Sequence, residues 1–570
     1  LVGFAGAGAT ATLIDLANEP AEIYILGEAG SDNLGTSLAT GDIDGDGLMD
    51  LLAVACFSHP LGGTRTGTLY ILWGDQLGQS SVLDLALNPA GVARIFGKPG
   101  DDDLACNVAS GDFNRDGYDD IVWGHPLTGA QSGKAYIIFG AQAFPETLDL
   151  YAQPPDVVTI YGDVEGGTVG RNACACDVDG DDFQDIVLTA PWLDYSETFI
   201  IRGRDSFPTV FHTGVSEPGM IRIIDNIPNA NMQSVACADL NGDGCDDLLL
   251  GAIQAERLVL VYGSPSLSAT DSVLLASPTV PIKVVIGEYS HGALGIGVEF
   301  GDVDDNGRAD LVAGTYLADP MGCYDCGEVY VLYDADALPD TVDLATTTVS
   351  MTRVMGFGSS TKYGSRVLCP DLTGDSIDDL VIANYPINVR ATASFILGRK
   401  FMPSSILLAT ESGPITRIIE AEKGDRLGYG VTAIDVNSDG IRELMLGAQY
   451  ADPPGRSNAG IIYGFFSSSL MTAVRQGHTT SFPFHNVPNP FSNETTFRFG
   501  DIPSGTIDLA IYDVSGRHVF RKTIPSHRGG ALEVVWDGRD ERGKEAPSGV
   551  YFCRARVGGV TVTHKMVLVR

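Results

Sequence analysis

The chain is expected to be all-β: a seven-bladed β-propeller followed by a C-terminal immunoglobulin-like β-sandwich. Three observations predict this. A nine-residue Asp-rich segment recurs seven times, at successive spacings of 70, 65, 62, 63, 69 and 64 residues. Short apolar runs rich in Val, Ile, Tyr and Phe follow each copy, bounded by Gly, Asp and Pro, as strands are. After residue 466 the repeat stops, and a differently spaced set of alternating strands fills residues 487–570.

The repeat decides how length is read. For 570 residues a prior of roughly three or four domains applies, but repeat folds grow by adding units that contact only their neighbours. A period near 65 is too long for a leucine-rich or tetratricopeptide unit and suits a four-stranded blade with generous loops. Each unit runs in the same order. A strand such as Ala93-Arg-Ile-Phe-Gly97 and a Gly-rich turn precede the acidic segment, and an apolar run such as Asp247-Leu-Leu-Leu-Gly251 follows it. A third strand ends on an aromatic residue and Gly, as in Leu69-Tyr-Ile-Leu-Trp-Gly74 and Ala135-Tyr-Ile-Ile-Phe-Gly140. A connector like Leu148-Asp-Leu-Tyr-Ala152 then leads onward. Wholly apolar runs fit sheets buried on both faces. Glu22-Ile-Tyr-Ile-Leu-Gly27 repeats the strand that precedes each loop, whereas the seventh unit ends after its third strand, Gly460-Ile-Ile-Tyr-Gly464. Pairing the two closes the ring and removes exposed edges. Leu1-Val-Gly-Phe-Ala-Gly6 aligns with the third strand of other units and duplicates one the seventh already has. It is expected to pack as an extra edge or to dock on another molecule.

Charge excludes some partners. With 73 acidic against 36 basic residues and a net charge of -37, nucleic acid and anionic membrane surfaces are disfavoured. The acids recur in short loops, and clustered Asp implies hard cations with oxygen ligands; a solubilising coat is the alternative for the surplus. No apolar stretch reaches the ~20 residues that a spanning helix needs, so no membrane insertion is expected. Leu1 to Ile14 is uncharged, and its small residues around Ala9-Thr10-Ala11 fit a signal-peptide remnant; it is read as mature sequence. Ten cysteines fit an oxidising compartment without defining a framework. Cys323-Tyr-Asp-Cys326 has no second such pair to complete a zinc site and is read as a loop disulfide.

The acidic segments carry the chemistry. Positions 1, 3, 5 and 9 are Asp42, Asp44, Asp46 and Asp50 in the first, and Asp112, Asn114, Asp116 and Asp120 in the second. The third has Asp177, Asp179, Asp181 and Asp185; the fourth Asp239, Asn241, Asp243 and Asp247. The fifth has Asp302, Asp304, Asn306 and Asp310; the sixth Asp371, Thr373, Asp375 and Asp379; the seventh Asp435, Asn437, Asp439 and Glu443. Oxygen side chains at alternate positions converge on one point, and Gly at position 6 permits the sharp turn. Like charges so gathered repel, and calcium neutralises them with the flexible oxygen set it prefers over magnesium's strict octahedron. Up to seven structural calcium ions are expected. The third loop has Asp182 for Gly at position 6, and the sixth has Thr373 at position 3 and Ser376 at position 6, so the loop at Asp371 is expected to be the weakest.

These loops resemble the FG-GAP repeats of integrin α-subunit propellers and their bacterial relatives, across residues 1–466. The resemblance implies that each loop joins the first and second strands of a blade on the lower face, where calcium stiffens it with help from the position-7 carbonyl. It also implies that partners meet the opposite face, whose loops carry Phe57, His59, Trp192, Tyr195, Tyr289, His291, Tyr316, Tyr324 and Tyr450. After a linker at 467–486, residues 487–570 carry Val487-Pro-Asn-Pro-Phe491, Tyr512-Asp-Val-Ser-Gly-Arg517, Trp536-Asp-Gly538, Pro547-Ser-Gly-Val-Tyr551 and a Lys565-Met-Val-Leu-Val-Arg570 ending. This set resembles the C-terminal sorting domains of type IX secretion cargo and the Ig-like domain of flagellar hook-capping proteins. It implies export to the outside or to a bacterial cell surface, and a docking or spacer role where the domain is retained.

No catalytic motif is present: the nine His are scattered and neither His-Glu-x-x-His nor Gly-x-Ser-x-Gly occurs. His59-Pro60 and His125-Pro126 are read as contacts in loops after second strands, and Lys423-Gly-Asp425 as an ordinary turn. The leading function is therefore a non-enzymatic adhesion or binding module for a protein or glycan. The rival is a self-assembling subunit of a surface fibre, sheath or layer, in which copies join through residues 1–6 and the Ig-like domain. A polysaccharide-active enzyme ranks below both.

Overall fold

The structure, a computed structural model, describes residues 12–59, 66–78, 80–98, 107–126, 132–163, 167–191, 196–384, 386, 389–400, 402–408, 415–470, 484–502, 505–514, 517–527, 530–557 and 560–570. The duplicated segment at residues 1–6, together with Trp192 and Tyr195, lies outside them. Among the described residues the strands form seven five-stranded sheets, followed by a three-stranded and a four-stranded sheet.

The first blade shows the plan. Leu34–Gly41 is innermost and Asp50–Ala55, Thr68–Leu72 and Val92–Phe96 follow outward, each antiparallel to the last. The second strands are buried at every position, as Asp50–Ala55 and Asp247–Ala252 illustrate. That is why their sequence is apolar throughout instead of alternating. The blade has a fifth strand where four were expected. Thr147–Asp149, from the connector of the following unit, lies parallel to Val92–Phe96. Its apolar-Asp-apolar sequence reads as a loop because three residues are too few to show a period. Asp149 then ends the strand by accepting a hydrogen bond from the Tyr151 N–H, which starts a single 3-10 turn.

Every connector reaches back to the preceding blade in this way, and the N-terminal segment completes the circle twice. Ile23–Leu26 pairs antiparallel with Ile461–Phe465 and Val82–Asp84 lies outside it, so the seventh blade takes its two outer strands from the start of the chain. Thr12–Asp15 adds the fifth strand of the sixth blade, parallel to Ile415–Ile419. Closure through Glu22–Gly27 is thus as the sequence predicts, with a second interlock that it does not reveal.

Neighbouring blades touch through glycine. A Cβ on Gly35, where φ is +88°, would lie 2.8 Å from the Gly447 Cα, and one on Gly295 would lie 2.7 Å from the Gly251 Cα. Innermost strands therefore approach the preceding sheet's second strand at backbone distance, which only Gly permits. Larger side chains fill the outer part of each wedge, such as the buried Trp123 and Tyr136 between the first two blades. His125 belongs to this packing. It ends the strand Asp120–His125 at 0% exposure, with its ring 4.4 Å from Trp123 and 5.4 Å from Tyr136, so it is not a loop residue.

The C-terminal sandwich packs Phe491, Phe497, Trp536, Tyr551 and Met566 between its two sheets. Its strands Gly549–Val557 and Val560–Leu568 also face the propeller. Val550, Val567 and Val569 join the buried cluster that holds Phe465 and Leu470 of the seventh blade. Lys565 Nζ pairs with Glu22 Oε1 at 2.9 Å, and the Val550 N–H donates to Ser81 Oγ.

Candidate metal centres on the seven acidic loops

Strand direction assigns every acidic loop to one end of the ring. Each follows an innermost strand and precedes a second strand, and third strands end at the same level. The position-1 carboxylate winds the loop around itself. Asp42 accepts hydrogen bonds from the Asp46 and Gly47 N–H groups, both at 3.0 Å, and Asp302 from those of Asn306 and Gly307 at 3.0 and 2.7 Å. The turn needs a left-handed residue at position 6, where Gly47, Gly117, Gly244, Gly307 and Gly440 have φ between +80° and +90°. Asp182 and Ser376 take the same conformation, each at φ 67°, at a cost of roughly 1–2 kcal/mol.

Position 9 has a structural role that spacing alone does not disclose. Asp120 Oδ2 accepts from the Phe113 N–H at 3.1 Å and Oδ1 from the Gly140 N–H at 2.9 Å, tying the loop to the end of the third strand. Asp50, Asp185, Asp247, Asp310 and Asp379 make the same pair of bonds. Glu443 accepts from the Val436 N–H and from Asn437 Nδ2. All seven acids are at most 1% exposed. Burial pushes Asp50, Asp247, Asp310, Asp379 and Glu443 up to about 7, and Asp120 and Asp185 up to about 8. Nearby loop carboxylates add to the rise, and the backbone N–H donors oppose it.

In three loops carboxylate oxygens converge within 4.8 Å: Asp42, Asp44 and Asp50; Asp177, Asp179 and Asp185; and Asp302, Asp304 and Asp310. The second, fourth and seventh loops put the amides of Asn114, Asn241 and Asn437 at position 3, and the sixth puts Thr373 there. Oxygen-only donors in flexible loops match calcium's requirement. Asp304 Oδ1 is buried without a hydrogen-bond partner, which a bound cation would satisfy. The residues thus fit the ion.

Two features of the site escape the spacing argument. In the third blade Arg202 occupies the position before Gly that holds Trp73, Phe139 and Tyr262 in the first, second and fourth. Its Nε lies 2.9 Å from Asp179 Oδ2, so a guanidinium already neutralises part of that loop. The second is a set of links between loops. Asp119 Oδ2 accepts from the Asp42 N–H while the Asp119 N–H donates to the Asp42 carbonyl, and Asp246 with Asp177 and Asp378 with Asp302 repeat the exchange. The adjacent acids Asp119-Asp120, Asp246-Asp247 and Asp378-Asp379 are the sequence signal for it.

At the opposite end, Tyr324 is 63% and Met321 81% exposed on a loop closed by the Cys323–Cys326 disulfide. His59 and His291 are exposed there too. The other aromatic candidates among the described residues have partners within the chain. Phe57 packs on the apolar cluster between the first two blades, the Tyr289 hydroxyl donates to Glu328, and Lys362 and Arg426 sit over the rings of Tyr316 and Tyr450. Asp425 is 8% exposed and accepts from the Glu422 N–H, which makes Lys423-Gly-Asp425 a structural turn.

Two family models agree with this architecture. FG-GAP repeat models match residues 34–72, 107–138 and 427–465, and the FlgD Ig-like domain model matches residues 488–557. Mouse phosphatidylinositol-glycan-specific phospholipase D is 25% identical over 402 residues, 64% of this chain and 44% of that protein. Integrin alpha pat-2 of Caenorhabditis elegans is 25% identical over 279 residues, 44% of this chain and 20% of that one. The chain spans less than half the length of either relative. Among solved structures, PorZ, a bacterial surface component of the type-IX secretion system of Porphyromonas gingivalis, aligns over 95% of this chain and 60% of its own, at 11% identity and a TM-score of 0.37. FlgD of Xanthomonas campestris aligns over 14% of this chain and 62% of its own, at 21% identity and a TM-score of 0.13. Among the described residues no helix is long and apolar enough to cross a membrane.

Proposed function

For a chain that carries FG-GAP repeats and an FlgD Ig-like domain, we propose a secreted or cell-surface binding module. It is a non-enzymatic propeller, stiffened by up to seven calcium ions, that holds a protein or glycan partner on the face opposite its acidic loops. One observation carries the reading. The Ig-like domain packs beside Glu22, Ser81 and Leu470, at the end of the ring where the acidic loops lie, so among the described residues it leaves the other end uncovered. Support also comes from the Cys323–Cys326 disulfide, which suits an oxidising compartment, and from exposed Tyr324 and Met321 beside it, residue types enriched in interfaces.

Light scattering with size-exclusion chromatography, followed by glycan-array and surface-binding assays in millimolar calcium, tests the proposal. A compact monomer that binds a defined glycan or protein in calcium, and loses it on chelation or in a Met321→Ser/Tyr324→Ala variant, is the expected result. Ordered polymers in calcium would replace this reading with the surface-assembly one. Binding unaffected by either change would remove the proposed face.

A further inference from the structure

Between the third and fourth blades cysteine stands at positions where the first two blades carry small residues. The innermost strand of the third blade, Ala173–Cys176, brings Cys174 and Cys176 to one side, since alternate strand residues share a face. Cys237, on the innermost strand Met232–Ala238 of the fourth blade, meets them there. The three sulfurs lie within 4.8 Å of one another, and Cys237 Sγ is 3.4 Å from Cys174 Sγ. Cys176 is buried and the other two are half-buried. At the equivalent contact between the first two blades stand Ala39, Gly41 and Ser110, with Ser110 Oγ donating to the Thr40 carbonyl. At that contact packing is met by Ala, Gly and Ser, and does not call for three thiols together.

We propose that Cys174, Cys176 and Cys237 form a trithiolate site for a soft, closed-shell d10 metal ion, distinct in donor chemistry from the acidic loops. Sulfur donors without carboxylate or imidazole select thiophilic ions such as Cu(I) and Zn(II) over calcium or magnesium. Three thiolates complete a trigonal Cu(I) sphere, whereas Zn(II) takes a fourth ligand, as water. Binding releases the thiol protons to solvent, and no electron moves when copper is supplied as Cu(I). The same structure closes Cys323–Cys326 as a disulfide and leaves this trio unbonded.

The test loads the full chain, with thiols kept reduced and oxygen excluded, with Cu(I) in one arm and Zn(II) in the other. After gel filtration the metal per chain is measured, along with the thiolate-to-copper ultraviolet band. A Cys174→Ala/Cys237→Ser variant carries residues that the first two blades use at these positions, so it is expected to fold. A calcium-dependent melt checks that it does, and Cys176→Ser provides a second variant. The expected result is a single tightly held ion in the native chain and its loss in both variants, with the arms showing which metal is retained. Equal uptake by native and variant chains would overturn the proposal. So would a Cys174–Cys237 disulfide found by mass spectrometry in the natively secreted protein.

Discussion

The two carboxylates Asp304 and Asp310 belong to one acidic loop, yet their substitution is predicted to have different consequences. Asp310 is fully buried and accepts from the Val303 N–H at 3.2 Å and the Asp334 N–H at 3.0 Å. Asn at this position keeps one acceptor oxygen and turns an amide donor toward the other N–H. Leaving that buried group unsatisfied costs about 1–3 kcal/mol whether or not calcium is present. Asp304 has a buried Oδ1 with no hydrogen-bond partner and carboxylates of Asp302 and Asp310 nearby. Asp304→Asn therefore removes repulsion in the calcium-free chain and weakens only the ion's stabilisation. For a dissociation constant of ~10⁻⁴–10⁻³ M, the range of weak calcium modules, that stabilisation is about 0.4–1.4 kcal/mol at ~1 mM calcium. Denaturant midpoints followed by circular dichroism, in calcium and in chelator, separate the two. Asp310→Asn should lower both midpoints, and Asp304→Asn only the calcium one. Equal losses for both variants in chelator would falsify the distinction between clamp and ligand.

Three further outcomes are expected. Ser376→Gly relieves a side chain at φ 67° and should stabilise the calcium-free protein by about 1 kcal/mol; an unchanged denaturation midpoint would show that the loop relaxes without it. Arg202→Leu removes the guanidinium beside Asp179, so calorimetric titration should show tighter calcium binding at the third loop, and unaltered isotherms would count against the competition. The position-9 acids set a pH dependence. Without calcium they sit at about 7 to 8, above the roughly 4 of an unfolded carboxyl. The folded chain then holds their protons more tightly, and the stabilisation is complete below about pH 4 and lost as pH rises through 7 to 8. The chelated protein should melt higher near pH 5 than near pH 8, and calcium, which displaces those protons, should shrink the difference. A chelated melting point that climbs with pH would contradict the burial of these acids.

The parts legible in the sequence are those a repeat amplifies. Seven acidic loops in register identify the blades, and Glu22–Gly27 identifies the closing strand, because local spacing alone carries both. Thr12–Asp15 in the sixth blade is not legible: a three- or four-residue strand has no readable period, and its partner at Ile415–Ile419 is some 400 residues away. His125 reads as a loop residue because Pro126 follows it, but a buried aromatic pair extends the strand as far as the histidine. At the candidate metal sites the acidic positions follow from spacing, while the clamp made by position 9 depends on backbone donors such as Gly140 that no motif marks. Arg202 was readable by comparing its position with the aromatic residues of sibling units. The cysteine trio was not, since Cys237 stands 61 residues beyond Cys176 and on the next blade.

The way the ring closes also bears on how the chain is made. Ile23–Leu26 and Thr12–Asp15 are synthesised well before their partners Ile461–Phe465 and Ile415–Ile419, which come roughly 400 residues later. At ~5–20 residues per second, these apolar strands wait tens of seconds or more without the neighbours that cover them. The middle blades can assemble in order from nearby segments, but the circle cannot close until the seventh is complete. An interval of open, sticky edges is therefore built into the biogenesis of this chain. A chaperone would have to shield the early strands during it.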